Sequence, residues 1–334
     1  MKINVALVLP LSVFCLVANA RITYELSVNG AIAKVNFKVV DQDGVVVPDA
    51  KVWGAFTAPH LKDSILVDGM TNTNGEFVAQ GNCDEFLRVD VTKEGYYHTE
   101  AKINFWLSKE DPIVVNGKWQ PYGETRTVVL KKIRNPVEMV EAPYRVSKAI
   151  SYGKWYGYDM VRADWMPPYG EGESMDVLVR LGLKAVNDTS DFRTTMELCF
   201  TNNPHAGVYK ISKDNWSEMK SIYRADTNAV YKSDISFVFE RHPRMPIVDT
   251  RLSENSCLVF RIRTKVDACG KLISAHYGKI YGLWPFFGAM TSPELFFNPT
   301  PNDTNLEDAE TARKSRLAYK QQIEFERRRK AQGK

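Results

Sequence analysis

The 334-residue chain has little of what compact site chemistry is usually built from: five cysteines, five histidines, and no apolar run past its first twenty residues long enough to cross a bilayer. Cysteine this sparse excludes a disulfide scaffold for a chain of this length. With Cys15 in the amino-terminal segment, Cys83, Cys199, Cys257 and Cys269 remain, and no CxxC pair is present to nucleate a structural zinc site. A bridge between Cys199 and Cys257, both near the ends of expected strands, is left open. His60, His98, His205, His242 and His276 include no pair at metal-ligand spacing and no HExxH. Each reads as a surface or structural imidazole, His276 sitting between Ala275 and Tyr277 of an expected strand.

Nucleotide and nucleophile motifs are missing as well. No GxxxxGK[ST] or GxGxxG lies between a strand and a helix. The nearest approach to GxSxG, Gly172-Glu173-Ser174-Met175-Asp176, lacks the second glycine. The sequence therefore assigns no catalytic residue, no metal ligand and no cofactor. Carboxylates that could pair are present in Glu171, Glu173 and Asp176, and in Asp159 and Asp164. A glycoside hydrolase needs two of them about 5 to 9.5 Å apart, which spacing along a chain does not establish.

The net charge of +4 is concentrated at one end. Residues 307–334 hold nine Lys or Arg against five Asp or Glu, leaving 35 of each sign elsewhere. A neutral body carries no electrostatic footprint for nucleic acid. The run Arg327, Arg328, Arg329 and Lys330 is a candidate contact for an anionic surface, set against the commoner reading of a solvated end.

What is present begins with an amino-terminal signal. A lysine at position 2, an apolar segment from Val5 to Val17 and Ala18-Asn19-Ala20 describe a secretory signal peptide over residues 1–20, and therefore export, with no transmembrane span after cleavage. The stretch Asp41-Gln42-Asp43-Gly44 resembles the start of a calcium loop. Counting from Asp41, however, positions 5, 6 and 12 are Val45, Val46 and Val52 where the loop needs an oxygen ligand, glycine and glutamate. Aspartate and glycine between β-branched flanks make a hairpin turn.

Strand patterning covers most of the rest. Val35, Phe37 and Val39 alternate with polar residues, as do Leu87, Val89 and Val91, with turn residues at Asp43-Gly44, Asn74-Gly75, Glu94-Gly95 and Tyr122-Gly123. In the second half, Leu258, Phe260, Ile262 and Thr264 are expected to face inward with Arg261, Arg263 and Lys265 outward, before a turn at Asp267-Gly270. Residues 306–334 are rich in Glu, Ala, Lys, Arg and Gln and predict a helix with a weak apolar face.

The series Asp41-Gln42-Asp43-Gly44, Val47-Pro48-Asp49-Ala50-Lys51-Val52, Thr71-Asn72-Thr73-Asn74-Gly75-Glu76-Phe77 and Lys93-Glu94-Gly95-Tyr96 resembles a carboxypeptidase regulatory-like, or transthyretin-like, domain. That resemblance implies a seven-stranded Greek-key sandwich, an accessory module with no shared catalytic residues. The whole chain, through Asn135-Pro136-Val137-Glu138-Met139, Tyr158-Asp159, Asp164-Trp165, Pro168-Tyr169-Gly170-Glu171-Gly172 and Asn298-Pro299-Thr300-Pro301, resembles a group of exported bacterial two-domain proteins without assigned activity.

The expected architecture is mainly β: a sandwich over 21–134, a linker over 135–150, a second sandwich over 151–305 and a basic helical tail over 306–334. The aromatic segment from Tyr152 to Tyr169 supplies the candidate ligand residues Trp155, Tyr156, Tyr158, Trp165 and Tyr169, since flat rings stack on sugars; the competing reading is that they plug the opening of the second sandwich against the first. The expected role is structural or binding at the bacterial cell envelope, periplasmic, envelope-associated or extracellular, with another envelope protein or a glycan as partner. A polysaccharide-active enzyme is the alternative.

Overall fold

The structure, a computed structural model, describes residues 25–60, 63–106, 114–187, 190–200, 205–282, 284–287 and 289–331. The signal-peptide reading of residues 1–20 lies outside the described residues. The fold is mainly β with one long C-terminal helix, Ala309–Ala331. The chain divides into two units, residues 1–132 with 314–334, and residues 133–313.

In the first unit, β1 (Ala31–Asp41) pairs antiparallel with β4 (Glu76–Cys83) and parallel with β9 (Glu124–Leu130). The short strands β7 (Val114–Val115) and β8 (Lys118–Trp119) extend the same sheet. A second sheet runs β3–β2–β5–β6, from Ile65–Met70, Lys51–Phe56, Phe86–Thr92 and Thr99–Asn104, all antiparallel. Period-two alternation produces this packing: Val35, Phe37 and Val39 meet Val52, Phe56, Leu87, Val89 and Val91 in one core while their neighbours face away. Seven long strands therefore form two layers of a sandwich.

The turn at Asp41–Gly44 is built as its composition suggests. Asp41 Oδ1 accepts the backbone N–H groups of Asp43 and Val45 at 2.9 Å, and its other oxygen sits 2.6 Å from Lys132 Nζ. At the next turn Gly75 has φ +69, and a Cβ there would lie 2.6 Å from the Val39 carbonyl oxygen, so glycine is required.

The C-terminal helix belongs to this first unit from Lys314 onward. It covers the face of the second sheet that points away from the core, giving a third layer. Lys51, only 1% exposed, reaches Asp68 and Glu326; Thr92 Oγ1 donates to Gln322 Oε1 at 2.6 Å; Arg329 Nη1 lies 2.7 Å from Asp68. The docking residues Ala318, Gln322, Phe325, Glu326 and Arg329 share one helical face, but that face is largely polar. The tail expected over 306–334 is thus two things: 306–313 belongs to the second unit, and 314–334 to the first.

In the second unit, one sheet runs β10–β22–β20–β19–β16, from Val140–Glu141, Glu294–Phe297, Leu272–Tyr281, Ser256–Val266 and Gly207–Ser212. The other runs β13–β12–β14–β15–β17–β18, from Asp164–Trp165, Trp155–Asp159, Val177–Asn187, Asp191–Cys199, Asp234–Arg241 and Val248–Asp249. A small pair joins β11 (Val146–Lys148) to β21 (Ala289–Thr291). The inner faces share Val177, Val179, Met196, Leu198, Phe260, Ile262, Ile280 and Phe297. The segment expected as a linker, 135–150, instead supplies β10 and β11, whose ladders close on strands near residue 290. Strands of two and three residues are too short to register as a periodic signal.

The β19–β20 hairpin forms at Asp267–Gly270 as expected, yet Arg261 is buried and Arg263 is only partly exposed. Both faces of this sheet are covered, the second by Val259, Ala275, Tyr277, Leu306 and neighbours. Arg261 is buried over the Tyr231 ring at 3.9 Å and donates to the His205 carbonyl. Arg263 sits in a break of register after Ile262 with φ +50, a bulge that turns its side chain toward the other sheet. All four described cysteines are free, so Cys199 and Cys257 are not bridged.

Candidate functional site

The aromatic segment folds into the β13–β12–β14 corner of the second unit, and strand alternation splits it. Tyr158 and Trp165 are buried, their rings 5.1 Å apart and steeply inclined. Burial pushes the Tyr158 phenol up to about 12. Trp155 lies on the opposite face of β12, stacked under the Arg180 guanidinium at 4.7 Å, and Arg180 Nε in turn donates to Glu197 at 3.1 Å. Tyr156 is half-buried, its hydroxyl 2.7 Å from Ser151, its ring edge-on to Tyr169 at 5.2 Å. Tyr169 is 56% exposed. The five candidates therefore form no continuous platform: Tyr158 and Trp165 plug the core, and Trp155 and Tyr169 are exposed on different faces.

One open groove remains beside Tyr169, of about 440 Å³, lined by Arg145, Ser147, Lys148, Asp164, Trp165 and Tyr169. Its floor is held by local hydrogen bonds. Trp165 Nε1 donates to the Lys148 carbonyl at 3.0 Å, and Asp164 receives Arg145 Nη1 at 2.9 Å and the Glu171 N–H at 3.2 Å. The Pro168–Gly172 loop presses against this floor so closely that a Cβ at Gly170 would stand 2.5 Å from Asp164 Oδ1. An exposed tyrosine face above fixed charged rims is an arrangement that takes a flat, hydroxyl-rich ligand by stacking and hydrogen bonding. Sequence reasoning named Trp165 and Tyr169 but missed Arg145 and Lys148, which fell in the supposed linker and carry no motif.

No family model matches the chain, and no curated protein matches it. Among solved structures it is similar over 31% of its length to 3-chlorocatechol 1,2-dioxygenase from Rhodococcus opacus 1CP, at 16% identity and a TM-score of 0.25, covering 61% of that chain. It matches hydroxyquinol 1,2-dioxygenase from Pseudomonas putida DLL-E4 over 31% of its length at 13% identity and 0.23, covering 58% of that chain. The chain thus spans about three-fifths of these dioxygenases. The major pilin subunit BcpA of Bacillus cereus matches 83% of this chain and 100% of its own, at 12% identity and 0.20. At such TM-scores these likenesses support no inference about activity.

Of the acids that could pair, Asp159, Asp164, Glu173 and Asp176 are engaged, and Glu171 is exposed. Asp159, 1% exposed, accepts four backbone N–H groups: Val161 and Arg162 at 3.0 Å on Oδ1, Glu173 at 3.1 Å and Ser174 at 3.0 Å on Oδ2. Asp176 receives Arg263 Nε at 2.9 Å and the Met160 N–H at 3.1 Å, and Arg263 Nη2 also reaches Asp159 at 3.4 Å. Burial raises the Asp176 carboxyl above the usual aspartate range despite the guanidinium. Glu173 is bonded to Arg162, and Asp164 to Arg145. These carboxylates organise the loops around β12 and β13 and tie them to the bulge in β19.

The histidines are similarly placed. His242 lies between Asp191 at 2.6 Å and Glu240 at 2.7 Å, which raise its pKa, Asp191 most strongly. His276 stacks on Phe297 and is lowered by burial.

The basic run does not present four clustered cations. Arg328 is bonded to Glu324 one turn back, and Arg329 to Asp68 on β3; Arg327 is exposed, and the Lys330 side chain lies outside the described residues. The acidic partners were remote in sequence or hidden by helical periodicity. Among the described residues no helix is long and apolar enough to cross a membrane.

Proposed function

We propose that the protein is an exported, non-catalytic β-sandwich protein with a structural or binding role at the bacterial cell envelope. The observation that carries this reading is the saturation of Asp159: a carboxylate accepting four backbone amides and facing a guanidinium has its lone pairs committed to the fold. A general acid or nucleophile needs the opposite, a proton or lone pair open to substrate. Export rests on the amino-terminal segment read from sequence. Fractionation of cells expressing the full chain tests it: recovery of a shortened protein outside the cytoplasm agrees, and an unprocessed cytoplasmic protein contradicts it.

A glycan is the ligand class favoured by the groove, because Tyr169 alone among the five aromatic candidates is both exposed and beside a recess of mixed polar and apolar lining that includes Arg145, Lys148 and Asp164. A glycan array with the full chain and with Tyr169→Ala separates the readings. Signal lost in the variant supports the groove; signal retained places glycan binding elsewhere, and hydrolysis of any arrayed glycan supports the polysaccharide-active enzyme.

A further inference from the structure

A second recess lies within the first unit, between the outward face of the β3–β2–β5–β6 sheet and the C-terminal helix. It measures about 470 Å³ and is lined by Trp53 from β2, Asp90 from β5, His98 just before β6, and Gln321, Gln322 and Phe325 from the helix. We propose that this cleft is a binding site for a small organic ammonium ion. The inference is independent of the glycan groove in the second unit.

Three observations meet here. The Trp53 and Phe325 rings stand 6.3 Å apart at 78°, forming two perpendicular aromatic walls. Aromatic faces carry negative quadrupole potential, and pairs of them at right angles attract an ammonium group more strongly than one ring alone. Phe325 is also an anomaly on its helix, a large apolar residue kept half in solvent on a helix that docks through polar groups.

The lining charge points the same way. Among the described residues Asp90 is the one acid lining the cleft, held by His98 Nε2 at 2.8 Å, and no lysine or arginine lines it. The cations nearest along the helix contact are neutralised: Lys51 faces Glu326 and Asp68, and Arg329 faces Asp68. An anionic ligand would meet two ring faces and the Asp90 carboxylate, bonded to His98. A neutral apolar ligand would press hydrocarbon against the Asp90–His98 pair. A compact cation satisfies both the rings and the acid, and the recess has the dimensions of a small-ligand pocket.

Choline is the probe. Titrated into the full chain at pH 8, it should give a saturable shift of the Trp53 indole N–H resonance, assigned by its disappearance in Trp53→Phe. Its uncharged isostere 3,3-dimethyl-1-butanol should bind about tenfold more weakly, the scale of a desolvated cation–π contact. Gln321→Lys, an exposed helix position that bears on folding least, should weaken choline binding by about tenfold through like charge, and Asp90→Asn should do the same. Equal affinity for choline and its isostere, undiminished binding in Gln321→Lys, or no saturable shift at all would each overturn the proposal.

Discussion

Lys51 Nζ lies 2.9 Å from Glu326 Oε2, joining positions 275 residues apart inside one unit. The lysine is 1% exposed and has Asp68 on its other side, so the C-terminal helix is fastened by a largely buried ion pair as well as by the Trp53–Phe325 ring contact. Removing one partner of such a pair leaves an uncompensated buried charge. Glu326→Ala should destabilise the first unit by about 1–3 kcal/mol, less than the fully unpaired case because Lys51 keeps Asp68 and Glu326 keeps some exposure. Lys51→Ala should cost about 3 kcal/mol, since it takes the buried cation from Glu326 and leaves Asp68 with Arg329. Denaturant unfolding of the full chain, followed at Trp53, measures both.

The Asp176 carboxyl carries a pH signature. Its folded pKa is raised by burial, so its contribution is fully present below the ordinary aspartate value of about 3.9 and declines as pH rises through the folded value. The stability advantage of the native chain over Asp176→Asn should shrink from about pH 4 upward. A difference that grows with pH would mean that Arg263 outweighs burial.

His242 and His276 should titrate on opposite sides of the ordinary imidazole value of about 6.5. Asp191 and Glu240 hold His242 charged, so its contribution is present at low pH and is lost as pH rises through its raised value. Burial holds His276 neutral, so its contribution is present at high pH and is lost as pH falls through its lowered value. Imidazole NMR titration resolves the two. Asp191→Asn should bring His242 down and leave His276 unmoved.

Lys279 is a buried cation with a lowered pKa of about 8, its ammonium donating to the Leu306 carbonyl at 2.7 Å beneath the Tyr281 and Phe296 rings. A depressed lysine weighs against the fold whenever pH is below its folded value. Lys279→Met keeps the volume and the ring contacts, and should raise stability of the second unit by about 1–3 kcal/mol at pH 7, net of the lost hydrogen bond. That gain should fade as pH rises from about 8 toward 10. Unfolding curves at pH 7 and 9.5 test both parts.

Much of the first sandwich is legible in the sequence because its strands are wet on one face: Val35, Phe37 and Val39 announce a core that the polar residues between them do not share. The second unit is less so. Its β19 is covered on both faces, so Arg261 and Arg263 read as outward residues by alternation although one lies over Tyr231 and the other in a bulge. The helix misleads for a related physical reason. Its docking face is made of Gln322, Glu326 and Arg329, and hydrophobic periodicity is blind to a face that binds by charge. The aromatic segment was legible as unusual but not as divided, since Trp155 and Tyr156 differ by one residue and hence by a whole sheet face.

Asp159→Asn is the most direct measurement. Asparagine offers one acceptor oxygen where aspartate offers two, and turns an N–H₂ donor toward two of the four backbone amides that Asp159 now satisfies. If these acids hold the fold, the variant loses about 2–4 kcal/mol of second-unit stability, read by denaturant unfolding, with ligand binding by the remaining folded protein intact. Unchanged or increased stability together with a lost activity on polysaccharide would contradict a structural role and make Asp159 a catalytic residue.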